Sequence, residues 1–184
     1  DLYFRYHWAC VEKRLKPETQ TGNLNPDVVI YAGDIFDNDY DALDDEAELK
    51  EILHSINAKY GSYAVFGNHD VTETLVGGFS TASSRKAFRD SRMESFLDEA
   101  GINIMLDEVT TIADGKINLI GRLDGEKAGD GTRNRKDLSE LIEQCDMSKP
   151  VIVINHEPDK LHEAADMGVD VMLSGHTHAG QFFP

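Results

Sequence analysis

The order of elements in this sequence predicts an α/β domain with helices outside and sheet inside. Three observations carry that prediction. Short apolar, β-branched runs alternate with helix-periodic stretches early in the chain, a strand meander fills the middle, and a strand–helix–strand unit closes it. Polar segments directly follow four of the runs read as strands: Gly33-Asp34, Gly67-Asn68-His69-Asp70, Asn155-His156 and Gly175-His176-Thr177-His178. They place Asp, Asn and His where loops meet at a sheet edge.

Residues 27–32, between Pro26 and Gly33, form an apolar run that reads as a central strand. Over 42–58, Leu43, Ala47, Leu49, Ile52, Leu53 and Ile56 recur at mostly helical spacing and predict a surface helix. The next strand covers 62–66. The stretch 71–84 is rich in Thr, Gly and Ser and predicts an exposed loop. Residues 84–100 predict a helix with Phe88, Met93, Phe96 and Leu97 inward and Gly101 as its C-cap. Strands follow at 102–106, 109–113 and 116–120, the last two joined by an Asp114-Gly115 turn. The polar stretch 121–133, with four Gly, predicts a mobile loop. Beyond it come a helix at 138–144, a strand at 150–154, a helix at 158–167 and a strand at 169–173. Neither a repeat nor a linker interrupts the order, so 1–184 reads as one domain.

A chain of 184 residues can bury a sizeable core, and 40% hydrophobic with 28% charged residues fits a soluble globular protein. The formal charge of −16 disfavours a protein that grips nucleic acid through its phosphates. Nine carboxylates and a single Lys lie between Asp34 and Glu51, for which a solvated loop and helix face is the plain account. Cys10 and Cys145 have no metal-ligand spacing and read as structural thiols. No apolar run reaches the ~18 residues of a membrane span, and no stretch of this sequence reads as a signal peptide. Asp1 opens the chain with no Met and no preceding strand.

Asp34, Asn68, His156 and His176 each stand one to three residues past the end of a predicted strand. In open α/β sheets, ligands gather beyond those carboxyl ends. A carboxylate can bridge two cations, and amide oxygen and imidazole nitrogen suit Mn, Fe, Zn or Co. Each piece alone has a bland account, such as an Asx turn or a satisfied strand-end histidine. The four together, each after a strand, describe a two-metal hydrolytic centre. Arg122, Arg133, Arg135 and Lys136 flank the Gly-rich stretch, where they either hold a substrate phosphate or belong to a solvated loop.

These motifs resemble the ordered signature of the calcineurin-like metallophosphoesterase superfamily: Asp-x-His, Gly-Asp, Gly-Asn-His-Asp/Glu, His and Gly-His-x-His. The ending Ser174-Gly175-His176-Thr177-His178-Ala179-Gly180-Gln181 is similar to one branch, bacterial phosphohydrolases that are often membrane-anchored or exported. Gly33-Asp34-Ile35-Phe36-Asp37 and Gly121-Arg122-Leu123-Asp124 fit the same branch. The resemblance implies a two-sheet β-sandwich flanked by helices and a phosphomonoesterase or phosphodiesterase using two divalent metal ions. By the same resemblance Asp34 bridges both ions, Asn68, His156 and His176 complete one site, and His178 with Asp1 belongs to the other. His69 protonates the leaving oxygen or stabilises its charge, and Asp70 orients its imidazole. Water acidified by the cations attacks phosphorus in line. The implied substrate is a small-molecule or lipid-linked phosphoester. Membrane association would come through segments absent from this chain. The branch implies a membrane-associated or extracytoplasmic location, and a cytoplasmic one otherwise.

One position departs from the signature. Asp1-Leu2-Tyr3 stands where the superfamily has Asp-x-His, and a neutral phenol is a poor ligand for Mn²⁺ or Zn²⁺. Relatives also carry a strand before this motif and several after Gly-His-x-His, so a truncated domain is expected. Tyr3 and the truncation support one competing reading, a catalytically impaired metal-binding scaffold on the same fold. A nuclease of the superfamily is another, and the acidic charge argues against it.

Overall fold

The computed structural model describes residues 26–36, 38–72, 75–76, 79–80, 88–129 and 135–177. Among them two sheets stack face to face. In the first, β1 (Val29–Ala32), β2 (Ser62–Val65) and β5 (Ile102–Ile104) are parallel, in the order β1-β2-β5. The second runs β6-β7-β8-β9, from β6 (Glu108–Ile112), β7 (Ile117–Gly121), β8 (Val151–Ile154) and β9 (Val171–Leu173). There β6 and β7 form an antiparallel hairpin, while β7, β8 and β9 are parallel. A two-residue ribbon pairs β3 (Leu75–Val76) with β4 (Phe79–Ser80).

Side-chain alternation along the strands builds a four-layered body. Ile30 and Ala32 of β1, Tyr63 and Val65 of β2, Leu119 of β7 and Ile154 of β8 meet between the sheets, with Met105 and Ile112. Tyr31, Ala64 and Ile102 point the other way, onto α1 (Glu46–His54) and α2 (Ser91–Glu99) through Leu49, Leu53, Met93, Phe96 and Leu97. Ile120, Val151 and Val153 face outward from the second sheet, onto α3 (Leu138–Ile142) and α4 (Leu161–Asp166) through Leu138, Leu141 and Ala164. This is the expected two-sheet sandwich flanked by helices. No helix of the described residues is long and apolar enough to cross a membrane.

Several boundaries differ from the sequence expectation. The helix expected over 84–100 starts at Ser91, because Asp90 caps it by accepting from Arg92 N at 2.9 Å. Phe88 therefore precedes the helix and is 57% exposed instead of inward. The stretch expected as an exposed loop holds the β3–β4 ribbon and the buried Val71. The described part of the expected mobile loop is packed: Arg122, Asp124 and Ala128 are all buried. Polar side chains and the neighbouring backbone hold it in place, through Arg122 to Lys136 O at 2.7 Å and Leu123 N to Asp107 Oδ1 at 3.0 Å.

Candidate metal centre

Parallel strands leave their carboxyl ends on one edge of each sheet, and the loops of both sheets meet there. Gly33 follows β1 with φ of 88°, which turns the chain so that Asp34 points across the sandwich. Asp34 itself has φ of 55° and His176 has φ of 61°, left-handed conformations uncommon for residues with a Cβ. After β2, Gly67 passes close beneath the site. A Cβ there would stand 2.7 Å from both Asp34 N and His156 Cε1, and closer still to Asp34 Oδ1.

Around this gap the side-chain heteroatoms converge. Asp34 Oδ2 lies 3.2 Å from His156 Nε2. Asn68 Oδ1 lies 3.2 Å from the same nitrogen and 3.1 Å from His176 Nδ1. The rings of His156 and His176 stand edge to face, with centroids 5.2 Å apart. Ligand atoms of Asp34, His156 and His176 all fall within 4.8 Å of one another, a group able to hold a metal ion. His178 and Asp1, the residues expected for a second ion, lie outside the described residues, as does Tyr3.

Protonation explains why this set suits a cation. His156 is 1% exposed and its Nδ1 donates to Ala32 O at 2.7 Å, so Nε2 is the nitrogen left to face Asp34 and Asn68. A lone pair on Nε2 would oppose two oxygen acceptors, and either a proton or a metal resolves that conflict. Without metal, a proton does so. Burial disfavours charge on His156, but the Asp34 carboxylate outweighs it and raises the imidazole to about 9. Burial likewise works against the Asp34 charge, yet His156 and the His69 N–H, at 3.0 Å, hold that carboxyl below its ordinary range. The donor set of carboxylate, amide oxygen and imidazole fits a first-row divalent ion.

His69 stands beside the group without joining it. Asn38 grips it twice: Asn38 N donates to His69 O at 2.8 Å, and Asn38 Nδ2 lies 2.7 Å from His69 Nδ1. Asp70, expected to orient this ring, spends its carboxyl on backbone. Its Oδ1 accepts from Phe36 N at 2.6 Å and its Oδ2 from Gly67 N at 2.7 Å. Sequence reasoning missed Asn38, whose partner lies 31 residues away and leaves no local signal. Of the four basic residues read as either phosphate-holding or solvated, Arg122, Arg135 and Lys136 bond within the chain. Arg122 is buried against Lys136 O, Lys136 Nζ donates to Asp107 O at 3.1 Å, and Arg135 donates to Asn155 Oδ1 at 2.5 Å. Arg133 lies outside the described residues.

The family model described as calcineurin-like phosphoesterase matches residues 5–180. This chain belongs to that family. Its curated relatives include a transmembrane protein with metallophosphoesterase domain from Danio rerio, 30% identical over 90% of this chain and 36% of the relative. An uncharacterized metallophosphoesterase, YkuE of Bacillus subtilis (strain 168), is 30% identical over 85% of the chain and 48% of its own length. The UDP-2,3-diacylglucosamine pyrophosphatase LpxG of Chlamydia trachomatis serovar D is 25% identical over 90% of the chain and 58% of its own length. The chain thus spans between about a third and three-fifths of these relatives. No solved structure is a significant match.

Proposed function

We propose that this chain is the catalytic domain of a metal-dependent phosphoester hydrolase with a dinuclear centre. The observation that carries the reading is the convergence of Asp34, Asn68, His156 and His176, with His156 Nε2 turned inward by the bond from Nδ1 to Ala32 O. Those four residues would hold one divalent ion. Asp34 would be shared with a second ion held by Asp1 and His178. Bound there, the ions would supply Lewis acidity, to polarise the phosphoryl group and acidify an attacking water.

The chain's own residues do the rest. His69 sits one residue from Asn68, held in place by Asn38, where its imidazole can give a proton to the leaving oxygen. Asp70 keeps the loops after β1 and β2 in register beneath it. The substrate is a small-molecule or lipid-linked phosphoester. The name of the chlamydial relative, a pyrophosphatase of a diacylated nucleotide sugar, supports the lipid-linked class. A net charge of −16 argues against nucleic acid.

The test is hydrolysis of a generic aryl phosphodiester by metal-stripped protein, with and without added Mn²⁺. Activity is expected only with the ion, and His156→Ala should abolish both tight Mn²⁺ binding and turnover. Equal rates with and without metal, or a His156→Ala variant as active as the parent, would overturn the reading.

A further inference from the structure

Asp124 carries a carboxyl for which the fold offers half a set of partners. It is 2% exposed. Its Oδ1 accepts from Glu126 N at 3.0 Å and Lys127 N at 2.7 Å, which makes Asp124 the head of an Asx-type turn. Its Oδ2 is buried and, among the described residues, has no hydrogen-bond partner. A buried carboxylate oxygen left so is costly unless a charge nearby answers it. Burial pushes this carboxyl above its ordinary range, although the two backbone donors and His156 pull the other way.

The placement says which charge that is. Strands β7 and β8 are parallel neighbours with Gly121 opposite Ile154, and Arg122 N continues the ladder to Ile154 O at 3.0 Å. Asp124 comes three residues after β7 and His156 two residues after β8, so both leave adjacent strands at the same end, where strands lie ~4.8 Å apart. Asp124 acts electrostatically on His156 and on Glu157, and it feels the charge of Asp34. It therefore belongs to the surroundings of the metal group.

We propose that Asp124 is an acidic positioning residue of the metal centre, whose buried Oδ2 is answered by the bound divalent cations instead of by a donor of the chain. This rests on the metal-centre reading above. Asp124 holds its own loop by Oδ1 and adds, through Oδ2, a negative charge that strengthens cation binding without ligation. Outer acidic groups of this kind typically change metal affinity by about 10- to 100-fold.

The alternative role is turn formation alone, and the chemistry of Asn separates the two. Asp124→Asn keeps an oxygen for the Glu126 and Lys127 amides and replaces the charged Oδ2 with NH₂. Mn²⁺ affinity of the metal-stripped chain, measured by competition with a fluorescent chelator, should fall about 10- to 100-fold. Thermal stability of the metal-free chain should stay close to the parent's, since the turn is kept. Asp124→Ser, which also keeps an oxygen for the turn but carries no charge, should show the same loss and guards against a misfolded Asn variant. Either folded variant binding Mn²⁺ like the parent would overturn the proposal, and failure of both to fold would assign Asp124 to the turn alone. A parent chain that binds no Mn²⁺ would instead overturn the metal-centre reading itself.

Discussion

Asn68 and His69 are neighbours in one loop, yet their side chains turn to different partners. Asn68 turns its amide oxygen to His156 and His176, while the next side chain along is taken up by Asn38. Replacing His69 by Asn should leave bound Mn²⁺ per chain nearly unchanged and lower turnover by roughly 10²–10⁴-fold on a substrate with a poor leaving group. Metal content by elemental analysis and single-turnover rates would check both halves. Loss of metal would make His69 a ligand, and an unchanged rate would remove it from the chemistry. Asp70 works differently. With one carboxyl it joins the loops after β1 and β2, through the backbone N–H groups of Phe36 and Gly67.

At the scale of elements, the site depends on how closely the loop after β2 passes under the loop after β1. Gly67→Ala places a methyl group against Asp34 N and His156 Cε1, two groups that cannot step aside without moving the site. The variant should keep its helices and sheets by circular dichroism yet lose at least 10-fold in Mn²⁺ affinity, on the order of outer-shell disruptions elsewhere. A Gly67→Ala chain with parental affinity would show that the loops have more slack than their packing indicates. The strands and these motifs were legible in the sequence, since β-branched runs ending in Gly-Asp or Gly-Asn-His mark both the strand and the turn after it. The start of α2 was not legible, because Phe88 fits the helical period and nothing local shows that Asp90 caps the helix. The packing of 122–129 was hidden for another reason. Gly and charged residues read as a solvated loop, whereas here Asp107 and Lys136, from other parts of the chain, hold Leu123 N and the Arg122 guanidinium. Asn38 was invisible on the same ground.

At the scale of the whole molecule, the centre draws on both sheets. Asp34 and Asn68 follow strands of the first, His156 and His176 strands of the second. The Asp34–His156 pair therefore clasps the sandwich at one end in the metal-free protein, and pH should reveal it. The His156 value is raised from 6.5 to about 9, so its contribution to stability is fully present below about 6.5 and lost as pH rises through about 9. Asp34, held below 3.8, sets the opposite limit, and its share is lost as pH falls through its lowered value. Thermal midpoints of the metal-free chain should fall between pH 6.5 and 9. Over the same interval Mn²⁺ affinity should climb by up to about 10-fold per pH unit, because the ion displaces the His156 proton. A flat affinity across that range would show that His156 Nε2 does not bind the ion.

The split of the ligands between sheets also sets when the centre can come into being. Asp34 and Asn68 come early, after β1 and β2, while His156 and His176 come later, after β8 and β9. A ribosome delivers the first pair long before the second, and long-range contacts of this kind form late in folding. Until β8 has paired with β7, the early carboxylate and amide lack the imidazoles of His156 and His176 and offer a cation only weak, open coordination. A chain interrupted before His156 would carry half of each loop pair and an incomplete donor set for an ion.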